Sequence, residues 1–105
     1  MSLNQKNALI LYSEPKTKIL NTIRIIIDFL GVSLEEIRSE SRERRITDAR
    51  TMLAAALPIT QHQVAILLGC SQPAVHKMRQ RHKHLLQYDK EYRETWEAVN
   101  LADGS

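Results

Sequence analysis

Ser71, Gln72, Ala74, His76 and Lys77 are small or polar residues set close together in one short stretch of this chain. Their side chains carry the hydroxyl, amide, imidazole and ammonium groups that hydrogen-bond base edges or phosphate oxygens. Such chemistry is useful only if the groups are held at the exposed start of a helix narrow enough to enter a DNA groove. The surrounding sequence, from Gln61 to Gln80, reads as the device that does this. Two short helices are joined by a tight turn, and the second helix begins in these residues.

The spacing supports that reading. Val64 and Leu68 lie four apart on one face of the first helix. Gly69 falls where a helix ends in a left-handed residue, which glycine enters without a Cβ clash. Cys70 suits the elbow as a small hydrophobe. Ser71 is a good cap for the second helix, and Pro73 is tolerated in its first turn. Val75 and Met78 sit three apart and face back toward the first helix, while small Ala65 allows close approach. A plain helical hairpin has similar spacing. The polar start of the second helix favours a DNA-reading helix-turn-helix over it.

At 105 residues the chain reads as one domain, expected over residues 14–105, behind a mobile arm at residues 1–13. Apolar residues form 43% and aromatics 5%, so the core must be aliphatic, as in packed helices. A single cysteine excludes an intramolecular disulfide and a multi-cysteine zinc site. Together with the absence of a signal-like or membrane-length apolar run, it leads to an expected cytoplasmic location. Net charge is only +3, but its distribution is uneven. Between Ser41 and Leu85 stand eight Lys/Arg and two acids, with all four histidines; the rest of the chain is net acidic. Positive charge thus clusters around the helix-turn-helix, the footprint of a protein that neutralises phosphates.

The fold expected is all-α, a compact bundle of five to six helices. Ser13-Glu14-Pro15 looks like a helix start. Ile19, Ile23, Ile26, Ile27 and Leu30 then form one apolar stripe ended by Gly31. Ser33 and Glu36 form a capping box for a short helix. A basic connector, Ser41 to Arg45, leads to a third helix opened by Thr47 or Asp48 and stopped at Pro58. Thr60 caps the first helix of the helix-turn-helix, and the recognition helix runs from about Gln72 to Leu86. A last amphipathic segment, Asp89 to Leu101, brings Tyr92, Trp96 and Val99 to one face, and its end is expected to fray.

This ordered series, from about Ile19 to Met78, resembles the C-terminal DNA-binding domain of the bacterial replication initiator DnaA. The most specific part is GVSLEEIRSESRERRITDAR, from Gly31 to Arg50. The resemblance implies a monomeric DNA-binding unit whose basic loop sends an arginine into the minor groove. Arg42 holds the matching place, with Arg44 and Arg45 beside it and Arg50 at the following helix as phosphate contacts. A guanidinium suits a narrow, electronegative minor groove. The recognition helix departs from the family, whose G-G-R-D-H-T-T-V run is replaced by the shorter Gly69-Cys70-Ser71-Gln72-Pro73-Ala74-Val75. That run is similar to the turn of phage repressor and Cro-like proteins. There the places of Ser71, Gln72 and Ala74 to Lys77 approach bases and backbone. Arg81 extends the same basic helix.

No G-x-x-x-x-G-K-[ST] loop is present, so no nucleotide is expected. Neither is a cofactor or a metal, because His82 and His84 point to different faces and His76 is distant. With His76, these histidines are expected to flank the DNA surface. Cys70 lacks a partner for nucleophilic chemistry, Glu35 and Glu36 read as helix-dipole partners, and Trp96 as a core anchor. The expectation is a non-enzymatic binder of double-stranded DNA, a stand-alone initiator-like domain in replication or transcription control or in a mobile element. It needs no membrane, and a larger replication or regulatory complex could hold it. The competing reading is a helical protein–protein adaptor.

Overall fold

A computed structural model describes residues 17–103 in full. Six helices are assigned, in the order α1 (Leu3–Leu30), α2 (Leu34–Ile37), α3 (Arg44–Ala56), α4 (Gln61–Leu68), α5 (Gln72–Tyr88) and α6 (Lys90–Gly104). No strand occurs among the described residues, so the all-α expectation holds. The mobility expected of residues 1–13 lies outside the described residues, while α1 is assigned from Leu3, upstream of the start expected at Ser13-Glu14-Pro15. No helix among them is long and apolar enough to cross a membrane.

The core is aliphatic and built around α3. Ile46, Ala49, Met52, Leu53 and Ala54 are all buried along it. Its alanines let neighbours approach closely, and α1, α2, α4 and α5 all pack against it. From α1 come Ile23 and Ile26, with Ile19, Ile27 and Leu30 half-buried beside them. Helix α6 closes the bundle against α1 and α5 with Tyr92 and Val99 buried and Trp96 packed alongside, as its amphipathic pattern predicts.

Local chemistry sets most helix ends. Gly31 adopts φ 63° and stops α1, with the Val32 amide donating back to the Ile27 carbonyl. Ser33 and Glu36 exchange both bonds of a capping box, and Thr60 and Gln63 do the same for α4. Leu57 precedes Pro58 and is extended, which ends α3.

Two other ends differ from expectation. Helix α3 starts at Arg44, three residues before Thr47. The Glu43 carbonyl accepts from the Ile46 and Thr47 amides at 3.0 and 2.9 Å, and the turn closes without a side-chain cap. Thr47 and Asp48 do not cap at all. The Thr47 hydroxyl donates back to the Arg44 carbonyl, and Asp48 pairs with Arg44 one turn earlier. Arg44 and Arg45 therefore belong to a helix and not to the connector. At the other end of the chain, α6 does not fray from Leu101. Asp103 accepts a bond from Thr22 of α1 at 3.2 Å, which ties the tail down.

Candidate nucleic-acid interface

The α4–α5 elbow is built as its residues dictate. Gly69 has φ 70° and ψ 38°, and the Cys70 amide donates to the Ala65 carbonyl at 3.0 Å. These are the bonds of a left-handed helix terminus. The Ser71 hydroxyl accepts from the Ala74 amide at 3.3 Å and starts α5. Val64, Ala65, Leu68 and Val75 are buried between the two helices, with Met78 partly so. Cys70 is half-buried on the core, and burial pushes its thiol up despite the nearby Arg50 charge. A thiol so placed contributes to packing at the elbow.

Helix α5 has two faces. Val75 and His82 are buried, with Met78, Leu85 and Leu86 against the core. Ser71, Gln72, His76, Lys77, Arg81, Lys83 and His84 are exposed, and Ala74 lies half-buried at the margin. Among the described residues, His76 and Lys77 make no hydrogen bond or ion pair, so both present free donors. Gln72 has a partner: its Nε2 lies 3.1 Å from Nδ1 of His62, the second residue of α4.

The connector between α2 and α3 is fastened to this elbow. Arg38 donates through Nη1 to the Ile66 and Leu67 carbonyls at the end of α4; the Ile66 carbonyl also accepts from the Gly69 amide at 3.3 Å. Its guanidinium also lies 3.4 Å from where a Cβ on Gly69 would stand. Within the connector, the Ser41 amide donates to the Ser39 hydroxyl, and the Glu43 amide to the Ser41 hydroxyl, both at 3.2 Å.

The predicted arginines have different fates. Arg42 is exposed and, among the described residues, unpaired. Arg45 is exposed between Glu36 and Glu43, each 3.7 Å away. Arg44 bonds Asp89 and sits 3.3 Å from Asp48; these two carboxylates, Asp89 foremost, hold its guanidinium charged. Arg81 reaches the same Asp48 at 4.0 Å. Burial nevertheless pushes the Asp48 carboxyl up, and its Oδ1 has no hydrogen bond. Arg50, expected at a phosphate, is turned inward. It donates to the Ile37 carbonyl at 2.7 Å and the Ser41 carbonyl at 2.6 Å, and also to those of Glu36 and Ser39. With its donors committed to the connector's backbone, it shapes the loop and presents nothing outward.

His82 also departs from expectation. It is buried, its Nδ1 is 2.7 Å from the Tyr92 hydroxyl, and its ring meets Trp96 edge-on at 4.4 Å. Burial lowers its pKa. The clue was available: His82 lies seven residues, two turns, after buried Val75 and shares its face. Arg79 follows the same phase and donates to the Ala54 and Ile59 carbonyls at 2.9 and 3.2 Å, closing the end of α3. Arg38 carries no comparable signal, because its acceptors are 28 and 29 residues away.

Among the described residues no group of three or more His, Cys, Asp or Glu side chains could hold a metal ion. No protein-family model, curated protein or solved structure matches the chain.

Proposed function

We propose that this protein binds double-stranded DNA sequence-specifically as a stand-alone domain of the initiator type. The start of α5 would enter the major groove and Arg42 the adjacent minor groove, in replication or transcription control. The observation that carries this reading is the state of Arg42. Its neighbours Arg44, Arg45 and Arg50 are all occupied by carboxylates or carbonyls, while Arg42 stands exposed on a connector clamped beside the α4–α5 elbow. A free guanidinium carried on a loop that is anchored to the elbow supports two-groove contact. Lys77 and Arg81 supply further positive charge for phosphates.

Fluorescence titration of labelled random duplex at two salt concentrations tests it. With about four phosphate contacts, affinity falls about a hundredfold between 50 and 200 mM salt. Binding that is absent or insensitive to salt rejects the proposal.

A second reading has its own support. Leu20 and Phe29 on α1 and Leu101 on α6 are 61%, 50% and 77% exposed. Apolar side chains in water favour a protein partner. A protein–protein adaptor would bind a partner through these residues and have no affinity for duplex DNA.

A further inference from the structure

We infer that His62 is the positioning residue that sets which base Gln72 reads; this inference rests on the proposed DNA-binding function. Gln72 opens α5 and is exposed, and its amide nitrogen lies 3.1 Å from Nδ1 of His62. A glutamine amide on its own can flip, exchanging its donor and acceptor ends at little cost. The histidine removes that freedom. With the imidazole proton on Nε2, Nδ1 is an acceptor and takes one of the two amide hydrogens of Gln72. The amide then keeps one N–H and its carbonyl oxygen for a ligand. A donor and an acceptor side by side match N7 and N6 of adenine in the major groove. Were the imidazole proton on Nδ1, the amide oxygen would turn inward and only N–H donors would remain. Those match N7 and O6 of guanine. One ring nitrogen therefore decides the hydrogen-bond pattern that α5 offers.

The placement of the two residues makes this selection local. Thr60 and Gln63 fix the first turn of α4 through their reciprocal cap, and Ser71 fixes the first turn of α5. The elbow between them is held by Gly69 and Arg38. His62 and Gln72 are thus presented by two braced helix starts, and ordering the long glutamine side chain before binding reduces the entropy lost on contact.

The experiment is selection from random duplexes with the wild-type protein and with His62→Ala, His62→Gln and Gln72→Ala, each paired with titration of random duplex. The wild type is expected to enrich adenine at one position, which Gln72→Ala abolishes. His62→Ala should lower the preference for adenine over guanine at that position about fivefold or more, the lower range for loss of a bidentate base contact. His62→Gln restores an acceptor at the end of a flexible chain and should recover part of it. Circular dichroism of each variant identifies one that has merely unfolded, and the His62→Gln rescue separates orientation from a structural role. If His62→Ala keeps the full adenine preference, or the wild type binds a defined site with no dependence on Gln72, the inference fails while DNA binding stands. If the wild type binds no duplex, both fail together.

Discussion

Arg38 and Gly69 meet across the elbow, with the guanidinium 3.4 Å from the point where a side chain on Gly69 would begin. Two constraints therefore converge on one glycine. Its φ of 70° disfavours any Cβ, and the space a Cβ would take borders the arginine that caps α4. Gly69→Ala should cost about 1–2 kcal/mol from the backbone alone. It should also disturb the bonds from Arg38 to Ile66 and Leu67. Chemical denaturation of Gly69→Ala, Arg38→Ala and the double variant checks this. Because the residues touch, the double variant should lose less than the two single losses combined.

Arg50→Ala should free the connector. A hydrogen bond to a charged group contributes roughly 1.5–3 kcal/mol, and the four made by Arg50 are not additive, so a total loss of about 2–4 kcal/mol is expected. Arg50→Lys should rescue little, since a single ammonium cannot reach carbonyls spread from Glu36 to Ser41. Denaturant midpoints measure the loss, and amide exchange at Ser41 and Glu43 shows where it falls. A stable Arg50→Ala protein with an unchanged connector would contradict this assignment.

Arg42→Ala should leave the melting temperature unchanged, since among the described residues the side chain makes no bond. It should weaken duplex binding and reduce the slope of log affinity against log salt by about one. A melting temperature that falls with the substitution would place Arg42 in the fold and remove it from the interface.

The pH dependence of stability should carry the signature of His82. Its folded pKa lies below the ordinary value because the charged ring is buried. The unfolded chain then binds the proton more readily, so stability rises with pH across the interval between the two values. The contribution is complete above about pH 6.5, and is lost as pH falls from there toward the lower folded pKa. Asp48 gives the opposite slope, because its raised folded pKa favours the protonated carboxyl above the ordinary aspartate value. The difference between wild type and His82→Gln, measured by denaturation from pH 5 to 8, isolates the histidine. If the two curves stay parallel, the ring is not being held neutral by burial.

Local rules made much of this fold readable. Ser33 with Glu36, Thr60, Gly69 and Ser71 each act on residues within a few positions, so their roles are written in short stretches of sequence. The stripe from Ile19 to Leu30 and the face of Tyr92 and Val99 were legible by period. The arginines were harder. Arg42 and Arg50 are both basic residues near one loop, yet one is free and the other is spent on carbonyls. Which way a guanidinium turns depends on where unpaired carbonyls fall after the helices have packed, and residue type does not carry that information. The start of α3 was hidden for a related reason. Asp48 has the chemistry of a cap, but Arg44 and Arg81 draw its carboxylate into ion pairs.

Asp89 is the only residue between α5 and α6. Its amide ends one helix on the Leu85 carbonyl, and its carboxylate starts the next by accepting from the Tyr92 amide at 3.0 Å. A joint of one residue, held from both sides, leaves little slack between the two helices, and their packing against each other closes it further.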